Sequence, residues 1–558
     1  MDNYAIADQL SLLAKLIDIH GDNSFKAKSY ASAAFTIEKL PDPLSGLSQE
    51  KIFKIRNIGE SVGRKILELL QTGELEELKT YLAQTPSGVL EMMNIKGLGP
   101  KKIHTIWKEM GVDTIEDLEK ACEENRIADK KGFGDKTQQN ILESIRFQKK
   151  NTGKYLYAQV EAFAEAFKSK LEKKFSKELI EITGSFRRQL EIIESLEFVT
   201  TIPKEMLTGY LIGEEIKLVA ETNDSVLFNA ENTLLIQFYL SAEKHFHRKL
   251  FETSCSDDFM AAWKEMEVPG GSLQKEEEIF LHNKINYIPP FLREKSSIIE
   301  KARNQSFDDL LQPNQVKGLI HSHSTWSDGA YTIEAMAEEL IELGFEYLVI
   351  SDHSKAAFYA NGLAEEKIKE QHKHIEKLNK QLKPFRIFKS IECDILNDGS
   401  LDYDEETLSS FDLVIVSVHS NLQMNEEKAM KRLLGAIQNP YTTILGHMTG
   451  RRLLRRDGYP LDHKVIIDAC AENNVVIEIN ANPQRLDMQW QWVDYALEKG
   501  VMLSVNPDAH STEEFKNIKY GVLVGQKGGL RKEQNLSSFS LTQFEEFLFQ
   551  TKKDKGLI

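Results

Sequence analysis

The stretch Lys317-Gly-Leu-Ile-His-Ser-His-Ser-Thr-Trp-Ser-Asp-Gly329 decides the fold, because a short apolar run in it leads directly into two histidines. Residues two apart in a β-strand point to the same side, so we expect His321 and His323 to converge. Asp508 and His510 repeat this spacing after the apolar run at residues 501–505. Imidazole and carboxylate groups paired in this way at strand ends predict a metal site.

The surrounding region carries more potential ligands than one metal ion could use, since Zn²⁺ and other first-row metals take four to six. The set therefore predicts a multinuclear centre and metal-dependent hydrolysis. Its nine members are His321, His323, Asp328, His353, Glu392, His419, His447, Asp508 and His510.

Around these residues the order strand, ligand, helix recurs about seven times between residues 317 and 525. Apolar β-like runs lead into His353, His419 and His447, and amphipathic helical patterns lie between the runs. This order predicts a distorted (β/α)7 barrel with its chemistry at the carboxyl ends of the strands.

The same segment resembles the PHP domain (polymerase and histidinol phosphatase). The motifs that carry the resemblance are His-Ser-His-Ser-Thr-Trp-Ser-Asp-Gly, Ser-Asp-His-Ser, Ile-Glu-Cys-Asp-Ile, Ser-Val-His-Ser, Leu-Gly-His-Met-Thr-Gly-Arg and Pro-Asp-Ala-His-Ser. The resemblance implies a trinuclear site: His321, His323, Glu392 and Asp508 at one metal, His419 and His447 at a second with Glu392 bridging, and Asp328, His353 and His510 at the third.

The activity that the resemblance implies is hydrolysis of phosphate esters. Imidazole-rich ligation favours Zn²⁺, Mn²⁺ or Fe over Mg²⁺. The residues expected to be catalytic are His321, His323, Glu392, Asp508 and His510. Three arginines are candidates for holding substrate phosphates, because guanidinium matches phosphate geometry, with surface salt bridges as the alternative role. These are Arg451, Arg452 and Arg485.

A different motif recurs three times near the start of the chain, where a glycine-containing turn is followed by a lysine and a helical pattern. The unit resembles the helix-hairpin-helix motif, which grips the DNA backbone without reading sequence. Helix capping in a purely structural array is the alternative. The predicted DNA-binding residues are Gly59, Gly63, Lys65, Gly97, Gly99, Lys101, Gly132, Gly134 and Lys136.

The first 85 residues read as helical and are similar to the lyase domain of family X DNA polymerases. Lys65 falls on the Schiff-base position of that family, and Lys26 and Tyr30 fall on its 5′-phosphate pocket. A lysine attacks a sugar aldehyde only when its pKa is lowered. A contact between Lys65 and the DNA backbone is therefore the favoured interpretation, and a lyase nucleophile is the alternative.

The middle of the chain carries Gly184-Ser-Phe-Arg-Arg188, which matches the family X nucleotidyltransferase signature. An active member has three carboxylates for two Mg²⁺, but here those positions are Ser195, Glu197 and Tyr239. Two of the three carboxylates are lost and one is lengthened to Glu, which removes the main electrostatic stabilisation of phosphoryl transfer. We therefore expect the fold of the polymerase palm to be kept and polymerisation to be absent or vestigial, with Ser185 and Arg188 still able to bind a triphosphate or a DNA phosphate.

Composition is consistent with this organisation. The net charge of −16 argues against DNA binding through a global positive field, so binding should be local and carried by the hairpin turns. Four scattered cysteines are typical of reduced thiols. No secretion signal and no apolar run of membrane-spanning length are seen, so a cytoplasmic, nucleoid-associated location is expected.

These features predict a multidomain α and α/β protein. The expected domains are a lyase-like helical domain (1–85), a second helix-hairpin-helix block (86–150), a degenerate palm and thumb (151–300), a linker (301–316), the PHP barrel (317–525) and a tail (526–558) that frays at its end.

Three functions from different classes remain open. The favoured one is a DNA-repair hydrolase, a 3′→5′ exonuclease or a 3′-end and abasic-site phosphodiesterase, acting on gapped, nicked or 3′-ended DNA as a monomer. The second is an active repair polymerase with a proofreading barrel, against which Ser195 and Tyr239 count. The third is a DNA-binding scaffold or a small-molecule phosphatase.

Overall fold

A computed structural model describes residues 1–38, 40, 43–95, 97–213, 215–230 and 234–558. They divide into two units, residues 1–152 and 153–558. No helix in the described parts of the chain is long and apolar enough to cross a membrane.

The first unit is helical because apolar residues recur at helical spacing between capped ends. In its first helix, Asp2 accepts a hydrogen bond from the backbone N–H of Ala5 at 2.8 Å, and Gly21 ends the helix at φ +78°. The helices are α1 Asn3–His20, α2 Ser24–Glu38, α3 Gln49–Phe53, α4 Glu60–Thr72, α5 Glu76–Gln84, α6 Ser87–Met92, α7 Pro100–His104, α8 Ile115–Glu123 and α9 Gly134–Asn151, with a π-helical turn at Thr105–Glu109. One hydrophobic cluster runs from Ile6 to Ile145.

The second unit begins with a mixed sheet whose strands lie in the order β2-β4-β7-β6-β5. Only β4 and β7 pair in parallel; the other neighbours are antiparallel. Its strands are β2 Ile180–Thr183, β4 Ser195–Thr200, β5 Ile216–Glu221, β6 Ser225–Ala230 and β7 Leu234–Leu240, while β1 Tyr155–Leu156 and β3 Ile192–Ile193 form a separate antiparallel pair. The helices around them are α10 Tyr157–Lys174, α11 Gly184–Arg187, α12 Lys204–Leu211, α13 Phe246–Thr253, α14 Asp257–Trp263, α15 Glu277–His282 and α16 Ser297–Ala302.

The remainder of the chain is a ring of parallel strands in two arcs, β10-β9-β8 and β11-β12-β13-β14-β15. Single parallel bridges from Ser322 to Ala509 and from His353 to Glu392 join the arcs. The strands are β8 Gly318–Ser322, β9 Tyr347–Ile350, β10 Arg386–Lys389, β11 Glu392–Asp394, β12 Ile415–Ser417, β13 Ile444–Leu445, β14 Val476–Asn480 and β15 Leu503–Asn506. Because β10 and β11 are nearly continuous in sequence, they count as one position, and the ring has seven strand positions. The predicted multidomain α and α/β class is confirmed.

Helices alternate with these strands, and the last one covers the hydrophobic interior of the barrel. They are α17 Ile333–Glu342, α18 Glu365–Gln381, α19 Glu405–Ser409, α20 Glu426–Ile437, α21 His463–Glu472, α22 Val493–Glu498, α23 Ile518–Lys527 and α24 Leu541–Asp554. On α24, Phe544 stacks on Tyr347 with ring centroids 4.5 Å apart. The expectation that the chain end frays is wrong, because Lys552 also donates to the Phe411 carbonyl at 2.8 Å and holds the last turns.

Ion pairs join the mixed-sheet region to the barrel within the second unit. Lys519 lies 2.6 Å from Glu161, and Arg451 lies 2.6 Å from Glu191. The segment predicted as a linker is also packed, since the Leu311 N–H donates to the Leu530 carbonyl at 2.9 Å. The barrel and the mixed sheet are thus tied together by specific polar contacts.

Candidate metal centre

The nine predicted ligands converge at the carboxyl ends of the barrel strands. His321 is the last but one residue of β8, Glu392 comes shortly after β10 and begins β11, and the others lie on the loops that follow strands. His321 and Asp508 both have positive φ, 61° and 53°, which non-glycine residues rarely adopt. Backbone strain of this kind at two facing positions is a feature of functional sites, where surrounding contacts hold the side chains in place.

Potential ligand atoms form three overlapping groups in which all the atoms lie within 4.8 Å of one another. The first is His321, His323, Glu392 and Asp508, the set that the resemblance implied for one metal. The second is His353, Glu392 and His419, and the third is His323, Asp328, His353 and His510.

His447 stands outside these groups, although its Nε2 lies 3.0 Å from Oε1 of Glu392. His353 takes part in both the second and the third group. The sequence therefore identified residues that the structure brings together, while their division among metal ions stays a prediction.

Glu392 is the hub of the centre. Its Oε1 lies 3.2 Å from His321 Nε2 and 3.1 Å from His419 Nε2, and its Oε2 lies 3.0 Å from His353 Nδ1. Burial raises the pKa of this carboxyl, but His419, His321 and His353 outweigh burial and hold it well below its usual range. A deprotonated carboxylate between imidazoles is suited to bridging metal ions.

Several buried polar atoms in the centre have no hydrogen-bond partner among the described residues, although such atoms are normally paired. The donor set, imidazole nitrogen with carboxylate oxygen, fits divalent transition metals, and a bound cation would satisfy these atoms. The unpartnered atoms are Nε2 of His321, Nδ1 of His323, His353, His419 and His447, and Oε2 of Glu392.

Two carboxylates behind the ligands were missed by sequence reasoning. Glu478 on β14 lies 2.6 Å from Nδ1 of His321, and Asp394 lies 3.3 Å from Nδ1 of His419. The hydrogen bond between Glu478 and His321 orients the ring of this histidine and fixes which of its nitrogens carries the proton. A lone acidic residue inside an apolar strand, as Glu478 is, was the signal that could have found it.

Asp352, which adjoins His353 in sequence, has a different role. It accepts hydrogen bonds from the Ser324 N–H and hydroxyl at 2.8 and 2.7 Å and from Gln371 at 2.6 Å. Asp352 therefore fixes the loop after His323.

The three candidate arginines have different surroundings in the structure. Arg485 lies at the centre, with its Nε 3.4 Å from Oδ2 of Asp508. Arg452 is partly buried, and burial together with the neighbouring cations Arg485 and Arg455 lowers its pKa. Arg451 is a poor candidate for phosphate binding, because its guanidinium already pairs with Glu191 and donates to the carbonyls of residues 485 and 486.

The glycines in the turns of the first unit are required for different physical reasons. Gly97, Gly132 and Gly134 have φ of +90°, +95° and +73°, which favours glycine. Gly63 is instead buried, and a Cβ there would lie 2.3 Å from the Phe53 ring, so its role is packing. Gly59, Gly99 and the side chains of Lys101 and Lys136 are exposed at helix starts. Lys96 lies outside the described residues.

Lys65 is held in an acidic setting. Its Nζ lies 2.8 Å from Glu68 and 3.6 Å from Glu77, and Glu77 also pairs with Lys26. Burial lowers the pKa of Lys65, but the two glutamates outweigh burial and raise it. A Schiff-base nucleophile needs a neutral amine, so this geometry disfavours the lyase interpretation.

At the nucleotidyltransferase signature, other side chains of the protein fill the space and take up the hydrogen-bonding groups. Glu197 lies in the space beside Gly184, its Oε1 accepts from the Ser185 N–H at 3.4 Å, and Tyr239 donates to its Oε2 at 2.9 Å. Arg188 pairs with Glu294 at 2.9 Å. Both groups expected to bind a phosphate, Ser185 and Arg188, are thus engaged within the chain.

Comparisons with known proteins match three separate parts of the chain. Family models match at residues 1–75 (Helix-hairpin-helix domain), 89–146 (SAM-like Helix-hairpin-helix tandem) and 320–482 (PHP domain). The chain is 33% identical over 569 residues to a DNA polymerase/3′-5′ exonuclease PolX of Bacillus subtilis (strain 168), covering 97% of this chain and 98% of the relative.

Relatives that match a smaller part of the chain are also found. A probable phosphatase of Thermoanaerobacter sp. (strain X514) is 26% identical over 247 residues, which cover 42% of this chain and 96% of the relative. A probable phosphatase of Clostridium acetobutylicum is 29% identical over 216 residues, 36% of this chain and 81% of the relative.

Proposed function

Since the chain belongs to the PolX family of DNA polymerase/3′-5′ exonucleases, we propose that it is a DNA-binding, metal-dependent phosphoesterase that removes nucleotides from 3′ ends in DNA repair. The observation that carries this proposal is the contrast between its two metal sites. The barrel retains nine converging ligands with unpartnered atoms, whereas the palm retains one carboxylate, Glu197, which is hydrogen-bonded to Tyr239.

The reaction adds water across a phosphodiester. The oxygen of water bonds to phosphorus, the bond from phosphorus to the 3′ oxygen of the preceding nucleotide breaks, and that oxygen leaves with a proton. When bound, metal ions activate the water and neutralise phosphate charge. We propose three ions, of Zn²⁺, Mn²⁺ or Fe, with Mg²⁺ less suited to so many imidazoles.

The chain's own residues position the reactants. Glu478 accepts a hydrogen bond from Nδ1 of His321 and so leaves its Nε2 lone pair facing Glu392 and Asp508. Arg485 is placed to donate to a non-bridging phosphate oxygen beside Asp508. His510, at the more open side of the centre, and Asp328 complete the third group.

DNA is held, in this proposal, by the glycine turns of the first unit through backbone phosphates rather than base edges. The preferred substrates are gapped, nicked or 3′-recessed duplexes, and binding weakens as salt rises. A monomer located in the cytoplasm at the nucleoid is consistent with this role. The six segments predicted from the sequence, with their boundaries, remain part of the proposal.

One panel of assays tests the hydrolase. Labelled 3′-recessed DNA, an abasic duplex and a phosphomonoester are each incubated with Mn²⁺ and either the wild type, Asp508→Ala or the control Asp554→Ala, which changes an exposed carboxylate on α24. We expect 3′ shortening by the wild type and the control and its loss in Asp508→Ala. An absence of metal-dependent turnover on every substrate would overturn the proposal.

Phosphatase activity is the second candidate, because part of the chain is similar to probable phosphatases along most of their length. Turnover of the phosphomonoester with none on either DNA would favour it. The loss of polymerisation is tested separately: gapped primer extension that disappears in Glu197→Ala would show that the palm is still active.

A further inference from the structure

A short loop beside the metal centre, residues 354–363, is tightly tied at its base. It starts directly after His353, and its last residue returns to that histidine, because the Leu363 N–H donates to the His353 carbonyl at 2.9 Å. The Ala357 N–H donates to the Ser354 carbonyl at 3.0 Å, and the Tyr403 hydroxyl donates to the Leu363 carbonyl. We call this segment the aromatic loop; its position is fixed relative to a candidate ligand.

The tip of the aromatic loop presents two aromatic side chains to solvent. Phe358 is 84% exposed and Tyr359 is 62% exposed. Their ring centroids are 6.0 Å apart and the rings are inclined at 78°, so the pair does not cover its own faces by stacking. Folding gains little from adjacent apolar rings left in water, and a pair of them on a tied loop indicates a binding surface.

The aromatic loop lies at the rim of the metal centre. Asn361 donates to the carbonyl of Ser327 at 3.4 Å, next in sequence to the candidate ligand Asp328. Partial burial, together with the charges of Asp394, Glu392 and Asp328, raises the pKa of the Tyr359 hydroxyl to about 12, which places that hydroxyl within the field of the carboxylates.

Positive charge borders the same rim. Arg485 has its Nε 3.4 Å from Oδ2 of Asp508, and Arg452 donates a hydrogen bond to the side chain of Gln484, which adjoins Arg485 in sequence. The site thus offers cations for a phosphate beside exposed aromatic faces. This combination matches single-stranded nucleic acid, in which an anionic backbone alternates with bases whose faces are free only when they are unpaired.

We propose that Phe358 and Tyr359 form a stacking subsite for unpaired bases at the 3′ end of a single DNA strand whose terminal phosphodiester lies at the metal centre. The inference rests on the proposed function and adds its substrate class: a frayed or single-stranded end is bound, and a fully paired end must open first. A base-free phosphate ester gains nothing from the pair.

The test compares two single-stranded oligonucleotides that differ only in the last nucleotide, which carries either a base or an abasic analogue. Loss of base stacking costs about 1–3 kcal/mol per base, or roughly 5- to 150-fold. For the double variant Phe358→Ala/Tyr359→Ala we expect kcat/KM to fall by about that factor on the base-bearing end. On the abasic end, which offers no aromatic face, we expect less than a twofold change.

Matched variants separate stacking from folding. Phe549→Ala removes another exposed aromatic, 61% exposed on α24, and should leave all rates unchanged. Phe358→Tyr with Tyr359→Phe keeps both rings and should retain the preference for a base. An equal fall on both oligonucleotides, or no fall on either, would overturn the proposal.

A binding measurement keeps the inference distinct from hydrolysis. An oligonucleotide with 2-aminopurine as its 3′ base, joined through a phosphorothioate to slow cleavage, should lose fluorescence on binding to the wild type and not to the double variant. Quenching that depends on the pair without any turnover would support the subsite and contradict the hydrolase. Turnover with quenching equal in both proteins would support the hydrolase and overturn the subsite.

Discussion

Oε2 of Glu478 lies 2.6 Å from Nδ1 of His321, in the fully buried interior of the barrel. The same carboxylate accepts from the side chains of Asn506 at 2.8 Å and Asn480 at 2.9 Å, and from the His447 N–H at 3.1 Å. Each of these donors is itself on or beside a strand that supplies a ligand. Glu478 therefore fixes the orientation of the ligand histidine from behind.

The first prediction concerns this carboxylate. In Glu478→Gln an amide nitrogen would compete for the position facing Nδ1 of His321, and the histidine would lose its fixed orientation. We expect metal affinity or nuclease activity to fall about 10- to 100-fold, the usual effect of removing an outer partner of a ligand. Metal content by mass spectrometry after dialysis, alongside the exonuclease assay, measures both.

The matched control for that change is Glu472→Gln, which alters an exposed glutamate on α21. It should bind metal and cleave DNA as the wild type does. Full metal content and activity in Glu478→Gln would show that the carboxylate has no part in orienting His321.

Glu478 also shows what the sequence could and could not predict. His321 and His323 were identified because strand periodicity and position at a strand end are local properties. The contact of Glu478 with His321 depends on how β14 faces β8 across the ring, which spacing along the chain does not show. The ion pair between Arg451 and Glu191, which are 260 residues apart in sequence, could not be predicted for the same reason.

The second prediction separates two neighbouring arginines. Arg485 adjoins Asp508, so Arg485→Ala should lower kcat/KM on DNA by tenfold or more while the protein stays folded. Arg451 is buried and paired with Glu191, so Arg451→Ala should destabilise the second unit by about 3 kcal/mol. Steady-state kinetics and urea unfolding of both variants distinguish the two roles.

Arg455→Ala, a change at an exposed arginine of the same segment, serves as the control for general loss of charge. The assignment of roles is contradicted if Arg451→Ala impairs catalysis at unchanged stability, or if Arg485→Ala cleaves DNA normally.

The third prediction concerns Lys65. Because Glu68 and Glu77 raise the pKa of this amine, it should stay protonated near neutral pH and form no Schiff base with an abasic site. Borohydride added to the protein and abasic DNA should then trap no adduct at Lys65, as read by peptide mass spectrometry. The control is Lys136→Ala, which removes a lysine that is exposed near the start of a helix. This variant should weaken DNA binding only modestly. A trapped adduct that disappears in Lys65→Ala would restore the lyase interpretation.

The last prediction is a pH dependence of stability from a buried ion-pair network. Glu276 lies 2.8 Å from Arg187 and 2.6 Å from Arg293, and all its contacts are inside the second unit. Burial raises the pKa of Glu276, but Arg293 and Arg187 outweigh burial and lower it to about 2. A carboxyl with a depressed folded pKa stabilises the fold above its unfolded value and loses that contribution as the pH falls through the folded value.

The network should therefore stabilise the protein fully above about pH 5 and lose its contribution between about pH 4.5 and pH 2. Glu276→Gln should lower the free energy of unfolding by about 3 kcal/mol at pH 7. The difference from the wild type should shrink as the pH falls below 4.5, because the Glu276 carboxyl of the unfolded chain then takes up a proton while that of the folded protein stays charged until about pH 2. Urea unfolding of both proteins at a series of pH values measures it, with the exposed Glu277→Gln as control. A difference that stays constant down to about pH 2 would mean that ionisation of Glu276 does not stabilise the fold.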